Sequence, residues 1–261
     1  MTLPVSNEYY NTILMHRDAH FGGNFSVMIQ YYEKGGRGSQ QEIELKDILT
    51  LAEYEKQGGE NIAPLLLSGP EAEKVARSRA AYKKLRELYE DESLAAKYPR
   101  LLADLILSEE EDPIQEVEAV VREKGKIVPA ILEIMRNDEL RDPLFPGYGH
   151  APALAARCLG LIGDKRAIIT LFQTIGEGDF DEEAMALNAL AAMGEPAKEF
   201  LLHVVKGRPF NVDNERAAIA LLGFKNDPAV VKTCSDLLQD AEVKKHTPLK
   251  TYLELVCEKE N

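Results

Sequence analysis

An all-α chain wound as a right-handed α-solenoid, a superhelix of stacked helical pairs, is the fold this sequence predicts, on three observations. The first is a self-similarity of 31 residues in the C-terminal half. Ala155, Ala186 and Ala217 recur at that interval, as do Leu159, Leu190 and Leu221, and the larger Ile162, Met193 and Phe224. Within each copy the three positions stand at i, i+4 and i+7, one stripe of a helix. A small residue beside a Leu lets a neighbouring helix approach closely, and repetition at this period marks stacked helical pairs. The second observation is the lack of strand signals: no sustained alternation, and no Asn-Gly or Asp-Gly between apolar runs. The third is composition. Apolar residues make up 45% of the chain but aromatics only 7%, and Trp is absent, so small aliphatic side chains must do most of the packing.

From the N-terminus, residues 7–17 and 24–34 are short helical candidates, the second capped by Asn24 and stopped by Gly35-Gly36. Gly35-Gly36-Arg37-Gly38-Ser39 reads as a flexible link. EIELKDILTLAEYEKQ forms an amphipathic helix ended by Gly58-Gly59, and NIAPLLLSG follows over 61–69. A long charged helix comes next, with Val75, Ala76, Leu85 and Leu88 inward, then LAAKYPRLLADLIL, an irregular central pair. Asp112-Pro113 opens IQEVEAVVREKG, and IVPAILEIM over 127–135 completes that pair.

The best-preserved repeats lie at 150–240. APALAARCLGLIG ends at Gly163, a natural left-handed terminus, and Asp164 caps the helix whose Ile168, Phe172 and Ile175 face the core. EEAMALNALAAMG and EPAKEFLLHVV repeat the arrangement, as do NERAAIALLGFK and DPAVVKTCSDLL. In the last, Asp227 caps and Pro228 takes the first turn. Lys225 stands where the earlier copies have Gly, so that turn must differ. Thr247-Pro248 starts a closing helix. These elements predict an N-terminal helical cap over 1–40 and one continuous repeat unit over 41–261.

The stretch ALAARCLGLIGDKRAIITLF resembles HEAT-like repeats, in particular the short variety of phycobilisome-lyase-type proteins. Ala155, Ala156, Leu159, Gly160, Ile162, Gly163, Asp164, Ala167, Ile168 and Leu171 fill that pattern. The chain is also similar to HEAT-repeat proteins of bacteria with an intracellular lifestyle. The resemblance implies a fold, and functions on this fold range over scaffolds, transport receptors, bilin lyases and a diiron hydroxylase. The hydroxylase requires His-Glu pairs as iron ligands, and no His-Glu dipeptide occurs here.

A net charge of −13 predicts repulsion from phosphate backbones and argues against nucleic acid as a partner. Cys158, Cys234 and Cys257 are too few and too scattered for a disulfide framework or a zinc cage. The N-terminal residues lack a basic leader and no stretch has the length of a membrane span, which predicts a cytoplasmic protein. No phosphate loop, nucleophile elbow or cofactor motif is present.

Two groups of residues remain as candidate sites. His16, Asp18 and His20 stand close enough on one helix to suggest a metal site, weighed against a structural role for the histidines near a helix end. The second group lies in the loops at 141–152, 176–183 and 207–215. Phe145, Tyr148, His150, Phe180 and Phe210 would form an apolar strip along one edge, rimmed by Asp179, Asp181 and Asp213. The expected function is therefore a non-enzymatic scaffold or adaptor that binds a protein partner with basic or amphipathic segments, without a cofactor. The alternative is a lyase-like, cofactor-handling or metal-dependent enzyme on the same scaffold.

Overall fold

A computed structural model describes residues 7–258. The first six residues, part of the segment read above as lacking a leader, and the last three lie outside the described residues. Every regular element among the described residues is helical. The described residues form two compact units: 7–116 with 137–151, and 117–136 with 152–258.

The first unit holds α1 (Glu8–His20), α2 (Phe25–Glu33), α3 (Leu45–Gly58), α4 (Ala63–Leu66), α5 (Gly69–Glu90) and α6 (Lys97–Leu107). Asn7 and Asn24 cap α1 and α2 by accepting from first-turn amides, and Gly59 ends α3 in the left-handed conformation. Ile13, Leu14, Phe25, Met28, Ile48, Leu51 and Ile62 form one core, so α1 and α2 bury the same apolar surface as α3 and α4. α5 opens with a capping box between Ser68 and Glu71 and buries only Val75 and Ser78. Ala76, expected inward, is exposed.

The loop at 137–151 completes this unit instead of edging a repeat. Its Leu144 and Phe145 join Ala19 and Val75 in a second core cluster. Polar ties hold it in place: Ser78 Oγ donates to the Leu144 carbonyl at 2.6 Å, Lys74 meets Asp142 at 2.5 Å, and Arg77 meets Glu139 at 3.0 Å.

The second unit carries the repeats. It takes in most of α7 (Ile114–Arg122), then α8 (Val128–Met135), most of α9 (Ala151–Ile162), α10 (Ile168–Thr174), α11 (Phe180–Ala192) and α12 (Glu195–Val205). α13 (Val212–Leu221), α14 (Pro228–Leu237) and α15 (Thr247–Cys257) follow. From α10 to α13 each helix packs on the next in the chain, α14 packs on α15, and α11 meets α13 and α13 meets α15 across the intervening helix. The repeating Ala and Leu positions lie inside, and of the larger third positions Met193 is buried while Ile162 and Phe224 are half-buried. Ala155, Ala186, Ala217, Leu159, Leu190 and Leu221 are all fully buried, as are Ala197, Leu201, Val205, Val230 and Cys234 on the second helices. Phe172 and Phe200 meet edge to face, with ring centroids 5.3 Å apart, joining α10 to α12.

The turns follow the capping residues. Gly163 and Gly194 adopt positive φ, and Asp164 and Asp227 accept first-turn amides. Where Lys225 replaces glycine, the chain runs through a 3-10 turn over Leu222–Phe224 and stays right-handed. Lys198 of α12 pairs with Asp227 at 2.6 Å and so fixes one turn against the next.

The seam sets a stability prediction. Leu190→Ala should destabilise by about 2–5 kcal/mol, because truncation removes buried methyl groups and leaves a cavity. Leu161→Ala, at an exposed position of α9, should be near neutral. Chemical denaturation of the two variants checks this, and equal effects would contradict the register of the helices.

Candidate functional site

The loops beginning α11 and α13 build the best-exposed apolar feature of the second unit. Asp179 caps α11 by accepting from the Glu182 amide at 2.8 Å. Asn211 caps α13 in the same manner, with Asn214 closing a capping box. The residue after each cap is apolar and projects beyond the helix end. Phe180 is 86% exposed and Val212 is 54% exposed. Arg216 binds the two loops together, meeting Glu177 at 2.6 Å and Asp213 at 3.5 Å. Asp179 and Asp181 flank Phe180, and Asp213 flanks Val212, all with solvent access.

Asn214 gives this edge its rigidity. Its side-chain amide donates to the carbonyls of Val204, Val205 and Gly207 at 2.9, 3.2 and 3.0 Å, while its oxygen accepts from the Asn211 amide. One buried side chain thereby satisfies the end of α12 and the start of α13.

The strip expected from the sequence does not form as drawn. Phe145 and Tyr148 are 2% and 8% exposed in the core of the first unit, so neither has a face to offer a partner. His150 is half-buried at the end of the same inserted segment. Phe210 is half-buried, and the Arg208 guanidinium covers its ring at 3.8 Å from the centroid. Only Phe180 keeps the predicted exposure. Val212 was missed because the loops were read for aromatics. The usable signal was its position directly after a capping Asn, matching Phe180 after Asp179.

The His16, Asp18 and His20 group lies in the first unit, where Asp18 and His20 are engaged by neighbouring groups. Asp18 Oδ1 accepts from Arg17 Nε at 2.7 Å. Arg17 is fully buried, reaches Glu55 at 2.5 Å and Asn61 at 2.7 Å, and lies over the Phe25 ring. Both nitrogens of His20 are engaged, Nδ1 with the Tyr82 hydroxyl at 2.8 Å and Nε2 with the Pro143 carbonyl at 3.1 Å. The His16 and His20 rings stand 5.1 Å apart, and His16 Nδ1 is buried without a hydrogen-bond partner. Among the described residues no group of three or more His, Cys, Asp or Glu is placed to hold a metal ion.

Around His20 gathers an aromatic cluster that the sequence did not announce. The Tyr148 ring lies 4.9 Å from His20, and Phe21 lies 5.1 Å from Tyr31. Tyr148 and Tyr31 both donate to Glu109, at 2.8 and 2.7 Å, and Tyr148 adopts a left-handed φ of 56°. Gly36 and Gly38 lie flat against the Tyr31 and Tyr148 rings, where any Cβ would clash. The segment read as a flexible link is thus tied down, with Gly38 N donating to Tyr31 at 2.8 Å and Arg37 donating to the Ser108 carbonyl at 2.7 Å.

No family model matches the chain, no curated protein matches it, and no solved structure does.

Burial holds both α1 histidines in the neutral form. It pushes the His16 pKa down to about 4, and burial together with His16 pushes His20 down to about 3. A folded-state pKa below the unfolded value near 6.5 means the unfolded chain binds more protons across the interval. The contribution of His16 to stability is therefore full above pH 6.5 and is lost as pH falls toward 4. His16→Leu should flatten the fall in melting temperature between pH 6.5 and 4.5. Melts of both proteins across that range test it, and identical slopes would contradict a buried neutral imidazole.

Proposed function

We propose that the protein is a non-enzymatic binding module of the cytoplasm. In this reading the second unit is a HEAT-like right-handed α-solenoid, and its Phe180 edge receives a basic amphipathic helix from a protein partner. One observation carries the reading: an almost fully exposed Phe180 held on a fixed helix end among Asp179, Asp181 and Glu177. Phe180 is the most exposed large apolar side chain among the described residues, and aromatic anchors contribute much of the energy of protein interfaces. Val212 supplies a second apolar contact one repeat further along, and Arg216 keeps the two loops in register.

The carboxylates choose the partner's charge. Lys or Arg beside the apolar face of a partner helix would meet Asp179, Asp181 and Asp213, and a chain at −13 attracts cations and repels nucleic acid. The 31-residue period supports the solenoid reading, as do the buried Ala and Leu positions and the contacts of α11 with α13 and of α13 with α15. No helix among the described residues is long and apolar enough to cross a membrane.

A designed amphipathic peptide of Leu and Lys tests the site by titration calorimetry against Phe180→Asp. The substitution adds a negative charge, so attraction by charge alone would strengthen binding. Docking on the Phe180 ring instead predicts at least tenfold weaker binding with an unchanged melting temperature. Unchanged or tighter binding by Phe180→Asp would overturn the proposal.

A further inference from the structure

α5 shows solvent a long face with two adjoining cavities in the first unit. One, of about 570 Å³, has walls of Ala63, Pro64, Leu67, Ala72, Val75 and Ala76. The other, of about 450 Å³, is walled by His20, Tyr82, Lys83, Arg86, Glu87 and Glu90, together with Gly22. Asp18 and Arg79 line both and stand where the two meet. The pair divides an apolar half from a polar half of one groove, in the size range of small-molecule sites.

Arg79 is held at this boundary without being used up. Its Nε donates to the Asp18 carbonyl at 2.6 Å, which fixes the guanidinium, but its Nη2 is 3.6 Å from Asp18 Oδ2. That separation is too long for a charge-assisted hydrogen bond. Asp18 spends Oδ1 on the buried Arg17, and the Arg79 side chain remains 49% exposed. Lys83 and Arg86 stand one and two turns further along the same helix, and Lys83 meets Glu87 only at 3.9 Å. A guanidinium with exposed donors at the end of an apolar trough is a receptor for a carboxylate on an alkyl chain.

We infer that the groove along α5 binds a single-chain alkyl carboxylate, with its chain among Ala63, Leu67, Ala72 and Ala76 and its head on Arg79. The site stands apart from the Phe180 edge in residues and in the charge of its ligand, so the two proposals fail independently.

Titration calorimetry of the full chain with sodium decanoate, below its micelle concentration, provides the test. The expected result is saturable binding of one decanoate per chain. Arg79→Gln should weaken it at least tenfold. Ala76→Glu, at an exposed helical position that leaves folding intact, should also weaken it at least tenfold by placing a like charge in the trough. Decyltrimethylammonium, with the same chain and the opposite charge, should bind at least tenfold more weakly than decanoate. Three results would each overturn the inference: no saturable decanoate binding, decanoate affinity that Ala76→Glu leaves unchanged, or equal affinity for the cationic amphiphile.

Discussion

Close approach between helices is the constraint on which the second unit depends. A Cβ on Gly160 would collide with Ala189 of α11, and one on Gly223, in the turn after α13, would press on the Ala191 side chain of α11. Helices that near can share a core of modest side chains, and this is how a chain with no Trp and few aromatics buries Leu159, Leu190 and Leu221 completely. The first residues of α11 and α13 fall beside one another, and Arg216 can span from Glu177 to Asp213. The exposure of Phe180 follows from that geometry, since its helix buries the opposite face along Ala186, Ala189 and Leu190.

The first unit is organised around a charge instead. Arg17 is fully buried, and a guanidinium in that position is tolerable only with carboxylates and hydrogen-bond acceptors around it. Asp18, Glu55 and Asn61 meet that need from α1, α3 and the turn before α4, while the Phe25 ring lies under the guanidinium plane. Asn61 and Glu55 also accept from the amides of Ala63 and Ile62, so the same atoms that neutralise Arg17 shape the entry to α4. With Asp18 committed to Arg17, Arg79 stays available at the groove. The inserted segment at 137–151 then closes the unit through Phe145 and the Leu144 carbonyl.

Local physics was legible in the sequence. Asn24, Asp164 and Asp227 cap helices because each offers a side-chain oxygen directly before an apolar-periodic run. The burial of Ala155, Ala186, Ala217 and their Leu partners follows from a period that repeats without gaps. The non-local features were not legible. Phe145 and Tyr148 sit in a Gly- and Pro-rich stretch that looks like any exposed loop, and their burial depends on α1, α5 and α6, which lie far away in sequence. His16 and His20 have metal-like spacing, yet their environment is set by Tyr82 and Pro143 from distant segments. Gly36 and Gly38 read as flexibility, whereas they are small because two tyrosine rings lie against them.

The central claim is that the Phe180 edge is the surface that receives a basic amphipathic helix. Amide hydrogen exchange on the full chain, with and without a saturating Leu/Lys amphipathic peptide, tests it most directly. Protection on binding should concentrate at residues 176–183 and 207–215, with the buried seam of α9, α11 and α13 unchanged. Protection confined to other segments, or spread evenly over the acidic surface, would contradict the account.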